Sequence, residues 1–490
     1  MASSRRRNRR GHQDYPPWVY RFRVGSMGEL SDCEGNLYHA VARLAQRTPF
    51  VEVLAEASAG LSVRVDAHIT SFQTPPRLRG AVFRAWTRTG WTEVSISGLD
   101  TSSLRFAESA VERVLARRPA HEEPPGLSSI ARLEKTTPME RPVRDMDEER
   151  LVRLAKDILS WAEGVPDIRE TEVQLSWRID ERLYLNSSAA RCSQAVSRVR
   201  GYVSPVATEN GRAESDRLVH GGVGGAEIFD RITSEEVRRT AETSRALLHS
   251  KTPPLGKQAV LLSPSMTGYF AHESVGHGAE ADQFVRNRSY LQPLLGEVVG
   301  PEILTIVDNG AYPGAWSEIY ADDEGHPAQR TVLIDHGRLV GALHDRDTAA
   351  ALGALPTANT RRADVFSRAF VRMTNTYVEP GESSFDELVK EARNGVLLEA
   401  GVAGIEDPQG GQIQLKARMG HRIENGKVTD LVSAMALSGR VLEFFASIRG
   451  VSGKQDFVLD SGSCGKGRTD FMPNAAGGPY VLGTAVVGRA

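Results

Sequence analysis

Two histidines and a glutamate stand together as His272-Glu273-x-x-x-His277. Imidazoles bind borderline-soft metals, and a carboxylate beside one of them is placed to take a proton from an activated water. A catalytic zinc site needs three protein ligands and an open position. The chain has three cysteines, Cys33, Cys192 and Cys464. Cys33 and Cys192 read as small buried apolar residues. Cys464 lies in Asp460-Ser-Gly-Ser-Cys-Gly-Lys-Gly467, a glycine-rich stretch read as a loop that lets backbone approach a metal. The expected centre is Zn2+ on His272, His277 and Cys464, with Glu273 as general base.

The spacing sets a condition. Histidines at i and i+5 stand about 140° apart on a regular helix and point away from each other. A π-type turn, closed by an i→i+5 hydrogen bond, brings them back to one side. Gly276 and Gly278 flank His277 and make that distortion cheap. The motif alone is short enough to arise by chance, so its surroundings must carry part of the case.

Those surroundings place it on a helix. Gln258-Ala-Val-Leu-Leu262 reads as a strand, Ser263 as an N-cap and Pro264 as a first helical residue. Upstream, helices are expected near residues 35–47, 103–117, 147–163 and 234–248, the last with a Thr233/Glu236 capping box. Residues 119–145 lack periodicity and read as a long surface loop. Downstream, strand patterns dominate. A hairpin turns near His336-Gly337 and another at Asn425-Gly426. A helix over 384–394 starts on Ser384 and Glu387 and ends at Gly395.

The class is therefore α+β: an N-terminal mixed α/β domain and a C-terminal domain dominated by antiparallel β-sheet, with the metal motif on a helix. The Pro/Gly cluster Lys251-Thr-Pro-Pro-Leu-Gly256 marks the expected boundary. The division reads as a disordered basic tail over 1–18, an N-terminal domain over 19–250 and a C-terminal metallopeptidase domain over 251–490.

Net charge is −2, which points away from nucleic acid as a partner. No apolar run is long enough to span a bilayer, and the start of the chain has no secretory apolar core. Few, scattered cysteines fit a reducing cytoplasm.

The ordered motifs together resemble the TldD/PmbA family of metallopeptidases, in its active TldD-like branch. They are His272-Glu273-x-x-x-His277 with Gly278-Ala-Glu-Ala-Asp282, Asp322-Asp-Glu-Gly325, Arg372-Met-Thr-Asn-Thr-Tyr377, Gly410-Gly-Gln-Ile413 and Cys464-Gly-Lys466. Weaker matches are Gly80-Ala-Val-Phe-Arg84 and Gly221-Gly-Val-Gly-Gly225. The resemblance implies zinc-dependent cleavage of short or unfolded peptides. It implies the same three ligands and the same Glu273. It implies a dimer, including pairing with an inactive PmbA/TldE-like paralogue, and roles in peptide or natural-product maturation. After Lys466 the chain reads Gly-Arg-Thr where the family more often has Gly-Gln.

Other residues carry two readings each. Glu280 and Asp282 are hydrogen-bond acceptors for the ligand imidazoles or an exposed acidic helix end. Asp323 and Glu324 line the cleft and bind substrate, or form a polar turn. Thr374, Asn375 and Thr376 pair with an extended peptide at a sheet edge, or belong to an ordinary strand. Two alternatives to the peptidase remain: a metal-dependent amidohydrolase on a small aminoacylated metabolite, and a non-catalytic partner subunit.

Overall fold

The computed structural model describes residues 30–73, 77–126, 132–466 and 471–489. The expected basic tail over 1–18 and the Gly467-Arg-Thr departure lie outside the described residues.

The first half is one large sheet with helices on one side. Its strands are β1 (Val51–Val65), β2 (Thr70–Gln73), β3 (Arg79–Thr87), β4 (Gly90–Ser97), β5 (Leu133–Thr136), β6 (Ile168–Asn186), β7 (Arg191–Glu209), β8 (Arg212–Ser215) and β9 (Leu218–Val223). They form a nine-stranded sheet in the order β4-β3-β1-β6-β7-β5, with β2 on β1 and β8 and β9 on β7. The helices are α1 (Ser31–Leu44), α2 (Thr101–Arg117), α3 (Glu148–Ser160) and α4 (Ser234–Leu247). The expected loop over 119–145 contains β5, which pairs in parallel with β7. That short strand, with two exposed charged residues, carries too little pattern to be read from sequence.

Alternation explains how the two faces of this sheet differ. Val53, Val63, Val173, Leu175 and Leu183 point to one side and are buried against the helices. The residues between them face the other side, against the second half, with Glu52, Glu56 and Tyr184 buried and Arg182 partly so. This second interface is largely ionic.

The second half begins with β10 (Gly256–Leu262), followed by α5 (Pro264–Ala271) and α6 (Ala281–Val285). Next come β11 (Ile306–Asn309), β12 (Arg330–Asp335), β13 (Arg338–Leu339), α7 (Arg346–Leu352), β14 (Thr360–Arg361), β15 (Phe370–Val371) and β16 (Asn375–Val378). The chain ends with α8 (Phe385–Ala392), β17 (Gly395–Asp407), β18 (Gln412–Glu424), β19 (Lys427–Arg440), α9 (Val441–Ser447), β20 (Gly450–Val451), β21 (Val458–Cys464), β22 (Met472–Gly478) and β23 (Val481–Arg489). β10 pairs with both β17 and β23, so β10, β17, β18, β19 and β23 close into a ring. A second six-stranded sheet runs β13-β12-β11-β16-β22-β21. Apart from β10–β17 and β16–β22, the ladders of these two sheets are antiparallel. The expected α+β class therefore stands.

The Asn425-Gly426 hairpin forms with both residues at positive φ, as its turn type requires. α8 has the expected capping box, but Gly395 does not end it. Arg393 turns the chain at φ 53° and Gly395 opens β17. A Cβ at Gly395 would stand 2.2 Å from the Ala259 carbonyl, so that glycine serves strand approach.

No helix among the described residues is long and apolar enough to cross a membrane.

Candidate metal centre

α5 starts as its sequence dictates. The Ser263 hydroxyl accepts from the Met266 amide, and Pro264 occupies the first turn, where its missing N–H costs nothing. Val260, Leu262, Met266 and Phe270 anchor the strand and helix in one apolar core. The helix then widens. His272–Gly276 is a π turn, and the His277 amide donates to the His272 carbonyl at 3.2 Å. The extra residue in that turn returns the imidazoles to one side, with ring centroids 4.8 Å apart.

The glycines act differently from the expectation. Neither Gly276 nor Gly278 adopts a positive φ. Gly276 is required for space, because a Cβ there would stand 1.9 Å from Met373 Sδ.

Cys464 comes from the other end of the sequence. It is the last residue of β21 rather than part of a loop, and it pairs with Met472 of β22. Arg372 fixes its backbone by donating to the Cys464 carbonyl at 2.8 Å. Sγ lies 3.3 Å from His277 Nε2. One donor atom each from His272, His277 and Cys464 falls within 4.8 Å of the others.

The electrostatics of this pocket fit a cation. His272 is buried, and its pKa is pushed down to about 3 by desolvation and by His277, so it is a neutral imidazole. Its Nδ1 is buried without a hydrogen-bond partner, a costly state unless a ligand takes it. Burial opposes charge on His277, but the Cys464 thiol and the Glu280 carboxylate outweigh it and hold the pKa well above the ordinary value. Burial likewise opposes ionisation of Glu280, yet Lys466, His277 and Arg372 keep it well below the usual carboxylate range. Two imidazoles and a thiol are the donor set of a tetrahedral zinc site with one position open.

Glu280 Oε2 lies 3.9 Å from His277 Nδ1 and accepts from Lys466 Nζ at 2.6 Å. Asp282 also accepts from Lys466, at 2.7 Å. Of the two expected acceptors, Glu280 thus faces an imidazole and Asp282 holds the lysine behind it.

Glu273 opens onto the same cleft, which has a volume of about 560 Å³ and is lined by both histidines, Cys464, Glu406 and Phe471. Burial and a hydrogen bond with the Glu406 carboxyl push its pKa up to about 8, against the pull of His277. No motif or spacing pointed to Glu406. β17 brings it there because Gly404 lets the strand press against Glu273, where a Cβ would meet Cγ at 2.4 Å.

The remaining candidate residues are not brought to this cleft. Asp323 pairs with Arg182 at 2.6 Å and accepts from the Arg362 amide. Glu324 is buried in an ion pair with Arg84 at 3.0 Å. β16 lies between β11 and β22, so it is not a sheet edge open to a peptide. The Thr374 and Thr376 hydroxyls donate to Asp308, and Asn375 bonds Ser317 and Asn309. None of the five lines this cleft, and their polar groups are engaged within the protein.

With this geometry in view, comparison with known proteins identifies the lineage. Residues 255–487 match the PmbA/TldA metallopeptidase C-terminal domain, and residues 141–248 match the central domain of the same proteins. A metalloprotease of Methanothermobacter thermautotrophicus is 37% identical over 350 residues, covering 71% of this chain and 76% of that protein. The chain belongs to the PmbA/TldA metallopeptidase family. It thereby takes its place among the hydrolases of peptide bonds. A zinc metalloprotease TldD homolog of Saccharolobus solfataricus is 33% identical over 236 residues, 48% of this chain and 52% of that one. In fold, TldE of Thermococcus kodakarensis superimposes with a TM-score of 0.71 at 17% identity, covering 93% of this chain and 99% of that one.

Proposed function

We propose that this family member is a zinc-dependent peptidase of the active, TldD-like kind, acting on short or unfolded peptides. The observation that carries the reading is the convergence of His272, His277 and Cys464 beside a buried carboxyl at one cleft. His272, His277 and Cys464 would hold the ion, which when bound supplies Lewis acidity at the floor of the cleft. Glu280 fixes the orientation of His277, and Lys466 and Arg372 hold Glu280 in turn. Glu273 accepts the proton of the attacking water and delivers it to the leaving amine.

Two strands support binding of an extended chain. β21 is the outer strand of its sheet, and residues 460–464 line the cleft. β17 contributes Val402, Ala403, Gly404 and Glu406 to the lining, beyond the stretch that pairs with β10. A peptide lying between them has backbone groups to pair with on at least one side. The reading includes a division near residue 250, a cytoplasmic location and a dimer, including one with an inactive PmbA/TldE-like paralogue.

The test is a Glu273→Ala protein. It should keep stoichiometric zinc and lose peptide cleavage. Undiminished cleavage by the zinc-loaded variant would overturn the mechanism, and zinc-free wild-type protein that folds normally would favour a non-catalytic subunit.

A further inference from the structure

A second cavity, of about 180 Å³, lies between the charged face of β6 and β7 and the second half of the chain. Five arginines line it. Arg178 and Arg198 share Asp180, at 2.6 and 3.2 Å. Arg182 takes Asp323 at 2.6 Å. Arg361 is only 6% exposed, and its guanidinium donates to the Met373 and Pro473 carbonyls. It has no carboxylate within ion-pair distance among the described residues. Five guanidinium groups thus face three lining carboxylates, Asp180, Asp322 and Asp323. Glu93, outside the lining, narrows this surplus to one guanidinium, that of Arg361. Arg362 is matched by Glu93, and Asp322 is engaged by three backbone amides. Glu56, which reaches Arg182 at 3.4 Å, has its pKa pushed up to about 7 by burial and so supplies only part of a charge near neutrality.

A buried cation without a counter-ion is expensive. Its cost shows in Arg361, whose pKa is pushed down to about 9 by burial and by Arg198 and Arg372. A carboxylate entering the cavity would meet fixed guanidinium donors and remove the imbalance.

The cavity adjoins the metal cleft. Phe471 lines both, and it is 65% exposed. β22 runs from one to the other: Met472 and Pro473 line the arginine cavity, while Asn474 and Ala476 line the cleft. We propose that the arginine cavity is a carboxylate-binding subsite for the peptide substrate, taking its C-terminal carboxylate or an acidic side chain. The proposal rests on the peptidase reading for its substrate, and it adds a charge preference that the metal site alone does not give.

Zinc-loaded full-length protein is assayed on peptide pairs of one sequence. One pair differs in a free or amidated C-terminus, and the other in Asp or Asn within an amidated peptide. At least one carboxylate form should be favoured about tenfold or more in kcat/KM. That ratio should fall towards one in Arg361→Gln and in the more exposed Arg178→Gln. The pair that shows the preference identifies the source of the carboxylate. In parallel, calorimetry on zinc-loaded Glu273→Ala protein measures binding of the same peptides without turnover. Absence of cleavage by the wild type would sink the peptidase reading, while the calorimetric ratio would still decide the subsite. Equal binding of both members of each pair, or a preference that survives both arginine substitutions, would overturn it.

Discussion

Two clusters of ligand-type side chains lie in the second half, and they have opposite characters. His272, His277 and Cys464 form one; Asp322, Glu324 and His326 form the other. Both bring donor atoms within 4.8 Å of one another. In the second, the protein has supplied its own cations. Glu324 pairs with Arg84 and accepts from the Arg346 amide and the Thr360 hydroxyl. Arg84 and Arg346 continue to Glu52, which also accepts from Tyr184. Burial alone would raise the Glu324 pKa, yet Arg346 and Arg84 hold it well below the usual range. In the first cluster the cations stand one layer back, on Glu280, and the donors face a cleft. Proximity of His, Cys, Asp and Glu therefore makes a metal site only where the fold has left the charge unanswered.

Substitutions should separate the two clusters most sharply in metal content. His277→Ala and Cys464→Ser are expected to weaken metal binding by more than about a hundredfold, and peptide cleavage with it. Asp322→Asn should leave metal content intact. Metal analysis of the purified variants decides, and loss of zinc from Asp322→Asn would erase the distinction.

The ionic cluster should instead dominate stability. Glu324→Gln leaves Arg84 and Arg346 short of a partner in a buried place, at a cost of about 3 kcal/mol in denaturant unfolding. Its metal stoichiometry should not change. Glu280→Gln probes the layer behind the first cluster. Metal affinity should fall about ten- to a hundredfold in a competition titration, since His277 loses its orienting carboxylate. An unchanged affinity would make Glu280 a partner of Lys466 and Arg372 only.

The smallest effect concerns Glu56, on the charged sheet face beside Arg182. Burial raises its pKa from 4.5 to about 7, so the native state holds this proton more tightly than the unfolded chain. Its contribution to stability is complete below the unfolded value and lost as pH rises through the folded one. Glu56→Gln removes that loss. Relative to wild type, the variant should gain stability progressively between about pH 5 and 8, measured by unfolding at each pH. A flat difference would mean that Arg178 and Arg182 keep Glu56 ionised throughout.

Much of this organisation could be read from short stretches. The capping boxes at Thr233 and Ser384, the cap at Ser263 and the Asn425-Gly426 turn form as their residue types demand. The i,i+5 spacing required a π turn, and the turn is present. Each of these is decided within about five residues of chain, where local geometry leaves few choices. The strand ending at Cys464 is not legible in the sequence because Gly462 and its flanking serines have low strand propensity, which pairing with β22 overrides. Thr374–Thr376 looked available to a peptide, but only the sheet order shows β22 on their free side.

Residue types and their spacing alone establish which side chains are chemically able to hold a metal and what local backbone the histidine pair needs. Tertiary structure decided which of them meet. It set Cys464 against His277 across 187 positions, brought Glu406 to Glu273, committed Asp323 and Glu324 to arginines, and left Arg361 in a cavity with no ion-pair partner among the described residues. The reason is physical. Ligand chemistry and turn geometry are properties of residues and their near neighbours, whereas charge balance is a sum over everything the folded chain brings within a few ångströms.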